Sequence, residues 1–245
     1  MRLCEFNDLG RVGYADALAI QRQAVALRKA GEIPDRLLFV EHPHVITLGR
    51  NADAANVLAG PEILERAGID LQVTDRGGDV TYHGPGQLVG YPIFDLKDWQ
   101  RDVVAYVRAL EEALIQAIAE FGLRGERMTG MTGVWVRGSK VAAIGVHLSR
   151  WVTSHGFALN VDTDLDYFRY IVPCGLTRPV TSLRDLGCAA SRAEAGAAVR
   201  RAMARVFGLN LVELPQSDAA LARQAAQGRS AKAGTPCLVA KERIA

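Results

Sequence analysis

Three places in this 245-residue chain bring together side chains able to do chemistry. The first is Arg76-Gly77-Gly78-Asp79-Val80-Thr81-Tyr82-His83-Gly84-Pro85-Gly86-Gln87. Glycine lets a backbone approach a ligand closely and adopt positive φ, at an entropic cost. Interleaved with the glycines, Arg76, Thr81, His83 and Gln87 can converge on one ligand. No GxGxxG opens a helix here and no GxxxxGK[ST] is present, so neither common nucleotide fingerprint fits. The plain alternative is a glycine-rich surface loop. The second place is Cys174, between Pro173 and Gly175. The proline restricts Val172 to extended geometry and the glycine permits a sharp exit, which would stand the thiol at a fixed turn. Unpaired cysteines also serve as small buried hydrophobes. The third is Lys140, just after Arg137-Gly138-Ser139. A lysine there is either a solvated surface charge or a cation able to lower the pKa of a nearby thiol.

The elements that must hold these groups follow from the apolar pattern. Residues 15–30 read as a helix closed by Gly31, and 102–121 as a second one closed by Gly122. Ser191 and Glu194 form a capping box opening a third, which reaches about Phe207. A short helix is expected over 63–67, and strands over 37–40, 45–48, 71–74, 88–94 and 157–161. Pro92 argues that the 88–94 strand is an edge or carries a bulge. Residues 134–136 and 140–148 form a hairpin, and regular alternation along it places Lys140, Ala142 and Ile144 on one face. Helices and strands are mixed rather than strictly alternating. That predicts one α/β (α+β) domain over 1–215, with a mixed, largely antiparallel sheet flanked by helices. Residues 216–245 carry few large apolar side chains and read as a low-complexity tail.

Composition excludes several classes. Hydrophobic residues make up 49% and charged residues 23%, an ordinary balance for a chain with a sizeable core. A formal net charge of +2 gives no ground for nucleic acid as a partner. No apolar run approaches the roughly 18 residues of a membrane span, and the N-terminal residues do not form a signal peptide. Cys4, Cys174, Cys188 and Cys237 lie far apart, without CxxC or zinc spacing. A cytoplasmic protein that binds no metal is the expectation.

The order RGGDVTYHGPGQLVGYPIFDL, followed by Gly138-Ser139-Lys140-Val141-Ala142-Ala143-Ile144-Gly145 and Ile171-Val172-Pro173-Cys174-Gly175-Leu176, resembles the lipoyl(octanoyl) transferases. These group with the biotin and lipoate protein ligases in one fold superfamily. The resemblance runs from the N-terminus to about residue 210. It implies a biotin/lipoate protein ligase-like catalytic fold, with Cys174 and Lys140 as catalytic residues. Substrate-binding positions would be Arg76, Gly77, Gly78, Asp79, Val80, Thr81, Tyr82 and His83. Ala143, Ile144 and Gly145 would line the site as well, with Gly156, Phe157 and Ala158. His147 and His155 are supporting candidates, and His42 and His44 would stand at the surface or the pocket rim.

The chemistry so implied is passage of an octanoyl group from acyl carrier protein to Cys174 and then to a lysine Nε, without a cofactor. A free thiol titrates near ~8.5, so the thiolate needs a cation, and Lys140 would supply it. The acceptors would be lipoyl domains of 2-oxo acid dehydrogenases and the glycine cleavage H protein. Arg11, Arg22, Arg28, Lys29, Arg50 and Arg150 would offer docking charges to the acidic donor. Three other readings compete: an ATP-dependent lipoate or biotin protein ligase, a cysteine hydrolase using His83 or His155, and a non-catalytic binding module.

Overall fold

In the computed structural model, which describes residues 1–172 and 178–214, strand β2 (Asp35–Glu41) buries side chains on both faces. Leu37 and Phe39 join one core, Leu38 and Val40 another. A strand apolar on both sides belongs inside a sheet covered by two layers, and that is its setting. The larger sheet contains β2, β1 (Arg2–Arg11), β6 (Gln87–Ile93), β7 (Glu126–Met128), β8 (Met131–Val136), β9 (Ser139–Ser149), β10 (Val152–Asn160) and β11 (Leu209–Glu213). Their order is β11-β1-β2-β6-β10-β9-β8-β7. Strand β1 pairs in parallel with β11 and β2, and the remaining neighbours are antiparallel. Helix α1 (Tyr14–Ala30) covers one face, and α3 (Val103–Ala119) and α4 (Arg192–Phe207) cover the other. The fold is therefore mixed α/β with a largely antiparallel sheet between helices.

A second, smaller sheet is built from β3 (Val45–Leu48), β4 (Asp70–Val73) and β5 (Val80–His83) in the order β4-β3-β5, with the short α2 (Pro61–Arg66) beside it. Ile46, Val80, Tyr82 and Leu64 close its own core. Part of the glycine-rich segment expected as a loop is thus strand β5. Strands β1 and β11 also had no clear signal: in β1 only Cys4, Phe6 and Leu9 are buried, with a register shift between Asp8 and Arg11. The expected tail, residues 216–245, lies outside the described residues.

Two irregularities of the large sheet prepare the site. Pro92 does not mark an edge, because β6 lies between β2 and β10. Instead the β6–β10 ladder runs from Gln87↔Asn160 to Gly90↔Phe157 and returns as a bridge at Asp95↔Val152. Proline has no N–H to give, and in the gap the Thr153 hydroxyl donates to the Pro92 carbonyl at 2.7 Å and accepts from the Phe94 N–H at 2.8 Å. The second irregularity is a bulge in β9. Register passes from Trp135↔Lys140 to Val134↔Ala142, so β9 carries one extra residue there. Val141 and Ala142 both enter the α3–α4 core. Lys140 therefore does not share a face with Ala142 and Ile144 as regular alternation predicts. It is paired with Trp135, whose neighbours Val134 and Val136 point into that core. Lys140 thus turns to the opposite face, with Ala143 and Gly145.

Glu111 on α3 fixes this corner. Its carboxylate is fully buried, accepts the Gly133 N–H at 3.0 Å, and meets Arg108 at 2.7 Å and Arg127 at 3.2 Å. Replacing Glu111 with Ala strands a buried N–H beside the Lys140 strand. The expected loss in chemical denaturation is about 2 kcal/mol, and an unchanged midpoint would show that the carboxylate does not brace β8.

Candidate active site

Between the α1-covered face of the large sheet and the small sheet lies a cavity. Arg76, Gly77 and Gly78 form one wall; Thr81 and His83 of β5 extend it. Ala143, Ile144 and Gly145 of β9 face them, with Gly156, Phe157 and Ala158 of β10. Each of these is a position expected from sequence. Asp79, which precedes β5, is not on the cavity wall, and neither are Val80 and Tyr82, because β5 alternates. Val80 and Tyr82 point into the small core, and the Asp79 carboxylate accepts from the Asp53 N–H at 3.1 Å and the Asn56 amide at 2.5 Å. The cavity also takes in Tyr14, Val89, Tyr91 and His155. Tyr14, Val89 and Tyr91 were not expected there; Val89 and Tyr91 carry only the inward alternation of a buried strand, and Tyr14 carries no local signal.

The glycines answer a close approach between the two sheets. The Gly77 N–H donates to the Val146 carbonyl at 2.9 Å. A Cβ on Gly145 would stand 2.8 Å from the Gly77 carbonyl oxygen, nearer than packed atoms allow. The Arg76 guanidinium holds the same segment from the other side. It is almost fully buried and donates to the Thr47 carbonyl at 2.6 Å, the Asp79 carbonyl at 2.7 Å, the Gly77 carbonyl at 3.1 Å and the Thr47 hydroxyl at 2.9 Å. The family resemblance casts Arg76 as a substrate contact. Its hydrogen bonds inside the fold give it a bracing role as well.

A buried polar chain runs from the cavity to Lys140. His83 Nδ1 lies 2.8 Å from Gln87 Oε1, so Nδ1 carries the proton and Nε2 is left as an acceptor. Gln87 Nε2 donates to Asn160 Oδ1 at 2.9 Å, and Asn160 Nδ2 donates to the Thr181 carbonyl at 3.0 Å. The Thr181 N–H in turn donates to the Lys140 carbonyl at 2.9 Å, while the Lys140 N–H donates to the Pro179 carbonyl at 2.9 Å. The Lys140 ammonium is 4.9 Å from the centre of the Trp135 ring, a cation–π distance. Cys174 lies outside the described residues. The chain enters that stretch at Val172, whose N–H donates to the Asn56 carbonyl at 2.7 Å, and leaves it at Arg178, beside the strand-like Lys140↔Val180 bridge. Of the other thiols, Cys4 is fully buried and burial pushes its pKa up, while Cys188 is half-buried. Cys237 also lies outside the described residues.

The histidines divide by burial. His42, expected at the surface or rim, is fully buried; Nδ1–H donates to the Val12 carbonyl at 2.7 Å and Nε2 accepts from the Tyr91 hydroxyl at 2.7 Å. Burial pulls its pKa down to about 4, and that of His83 to about 3. His44 is half-buried, stacked on Tyr167 with ring centres 4.1 Å apart. His155 donates to Asp75 at 2.9 Å, and burial lowers its pKa. Among the expected docking cations, Arg28 is enclosed by Asp35, Asp95 and Asp98, and Arg11 is paired with Glu41.

The fold is shared with solved lipoate ligases. A lipoate-protein ligase A bound with ATP superposes with a TM-score of 0.74 at 17% identity, covering 92% of this chain and 94% of that one. A bipartite lipoate protein ligase from Thermoplasma acidophilum gives 0.71 at 18%, covering 92% of each. Residues 13–204 match the lipoyl protein ligase A/B catalytic domain, and the chain belongs to that family. It is 62% identical to an octanoyltransferase of Solibacter usitatus over 86% of this chain and 96% of that protein. An octanoyltransferase of Gloeobacter violaceus is 53% identical over 85% and 92%.

Two outcomes follow from these contacts. Arg76→Ala should lower stability by about 2–4 kcal/mol, since several buried carbonyls lose their donor. Arg76→Lys should recover little, lacking the planar fork; full stability in either variant would remove the bracing role. In the unfolded chain His42 and His83 titrate near the ordinary 6.5, while in the folded one they stay neutral down to about 4 and about 3. Below 6.5 the unfolded state binds more protons. Stability is then complete above that value and falls as pH drops towards 4, by up to about 1.4 kcal/mol per pH unit for each histidine. Denaturation midpoints at about pH 7.5 and about pH 5 check this, and equal midpoints would contradict it.

Proposed function

We propose that this chain is an octanoyltransferase of protein lipoylation, working in the cytoplasm through a thioester on Cys174. What carries the reading is the coincidence of octanoyltransferase relatives more than half identical along almost the whole domain with a largely apolar cavity beside the Lys140 strand. Acyl carrier protein is the donor. The Cys174 thiolate attacks the donor's thioester carbonyl, a new C–S bond forms, and the donor's own C–S bond breaks, its sulfur leaving as the thiol by taking a proton from the Lys140 ammonium, which is left neutral. The energy of the thioester is retained for the next step. A lysine Nε of a lipoyl domain, in a 2-oxo acid dehydrogenase or the glycine cleavage H protein, then attacks. A C–N bond forms, the Cys174 thiolate departs, and the amine's proton passes to Lys140. Amide formation makes the second step effectively one-way.

Lys140 serves first as the charge that favours the Cys174 thiolate and then as the proton acceptor. This is supported by its position: the bulge turns it to the cavity face, and both its N–H and its carbonyl hold the chain that follows Cys174. Gly77, Gly78, Ala143, Gly145 and Gly156 offer an acyl chain a slot with few side chains in the way, and each buried methylene contributes about 0.8 kcal/mol.

Mixing the protein with octanoyl-acyl carrier protein, without ATP, should give an octanoyl adduct on Cys174 by intact mass, cleared by an apo lipoyl domain. Cys174→Ala should give no adduct and at least a ~10³-fold loss of transfer. Transfer that appears only with ATP and free octanoate would move the chain to ligase chemistry. Lys140→Ala should slow alkylation of Cys174 at neutral pH, and an unchanged rate–pH profile would remove Lys140 as the activating charge.

A further inference from the structure

A second cavity, of about 330 Å³, lies between α1 and the β9–β10 hairpin. Leu18, Val25 and Ala26 of α1 line it beside Arg22 and Lys29, and Gln21 and His147 line it as well. His155 is common to the linings of this cavity and the first.

Its place along the sheet gives that shared position a meaning. Strand β9 runs from Lys140 past Ala143 and Gly145 to His147, and Val146 is paired with His155 across β10. At about 3.3 Å per residue, His155, opposite Val146, stands roughly 10 Å of strand from Ala143, where the β9 wall of the cavity begins, about the reach of an extended eight-carbon chain. His83, Gln87 and Asn160 are linked to the Lys140 end, whereas Asp75 and His155 close the opposite one. An acyl chain whose carbonyl is at the Lys140 end therefore directs its methyl terminus at His155.

His155 is held there against its own backbone preference. It has φ 55, a conformation costly for a residue with a Cβ. Its N–H donates to Gln21 Oε1 at 2.9 Å, and its Nε2–H donates to Asp75 Oδ1 at 2.9 Å. Asp75 also faces His147 at 3.7 Å. His155 is 2% exposed, and its Nδ1 and the Gln21 Nε2 have no hydrogen-bond partner among the described residues. A shorter residue in its place would let one space run into the other.

We infer that His155, pinned by Asp75, is the end wall of the acyl cavity and sets the longest acyl chain accepted. The inference rests on the acyl-cavity reading above. Removing the wall joins the two cavities, so chains longer than octanoyl gain contact area against Leu18 and Val25.

The test is equilibrium binding of free octanoate and dodecanoate to the wild-type protein, His155→Gly and Asp75→Ala. Glycine accepts the positive φ, and Asp75 is half-exposed, so at least one variant retains the fold. The dodecanoate-to-octanoate affinity ratio is expected to rise on the order of tenfold or more in both variants, given the extra buried methylenes. An unchanged ratio in folded variants overturns the inference. A raised ratio in His155→Gly alone keeps the wall and removes Asp75 as its pin. Octanoyl transfer by the wild-type protein is measured in parallel. Its absence would sink the transferase reading while a raised ratio still identified the end wall.

Discussion

The Arg76 guanidinium sits in the seam between two sheets and donates to carbonyls on both sides of the turn that follows it. Most of the candidate site depends on that one buried cation. It ties the glycine segment to Thr47 of β3, and the Gly77 N–H then ties the same segment to Val146 of β9. Without this donor, the Thr47, Gly77 and Asp79 carbonyls would each lose a buried hydrogen bond. Buried carbonyls lacking a partner are costly, so the roof of the cavity and the seam between the sheets are one energetic unit. The absence of a Cβ at Gly77 and Gly145 makes the approach sterically possible, and the guanidinium makes it electrostatically stable.

The large sheet adds its own departures from regularity, each placing a polar group. One extra residue in β9 sends Val141 and Ala142 together into the α3–α4 core and turns Lys140 to the other face. Pro92 interrupts the β6–β10 ladder, Thr153 fills the gap, and His155 adopts its left-handed conformation in the same stretch. Bulges and interrupted ladders re-aim side chains at modest cost when the surrounding core is well packed. Here that core is the α3–α4 layer, where Leu110, Leu114, Ala198 and Met203 are wholly enclosed.

Polarity follows the same division. The end of the cavity near Lys140 carries a continuous hydrogen-bonded chain from His83 through Gln87 and Asn160 to the Thr181 carbonyl. Its members satisfy one another, which is the condition for keeping polar groups in a low-dielectric interior. Burial keeps His83 and His42 neutral, so they act there as fixed dipoles rather than charges. The buried Cys4 thiol, its pKa raised, is chemically quiet. An acyl thioester needs such a division: a polar end for its carbonyl and an apolar slot for its tail.

Much of this was legible in the residues themselves. The periods of α1, α3 and α4, the Ser191–Glu194 capping box and the 45–48 strand are local, and local patterns survive into the fold. The glycine segment pointed to a site through the polar side chains interleaved with its glycines, and the 143–145 and 156–158 stretches through their resemblance to the family's lining segments. Other features were beyond local reading. Strands β1 and β11 exist because each pairs with residues distant in the chain, and β5 is a strand because β3 lies beside it. The side of β9 on which Lys140 emerges was settled by a bulge that no alternation announces. Burial of His42, bracing by Arg76 and the meeting of Asp75 with His155 all join residues far apart in the chain. Sequence determined which side chains and turns were available; only tertiary packing decided which way they faced, because a one-residue change of register reverses a strand's faces.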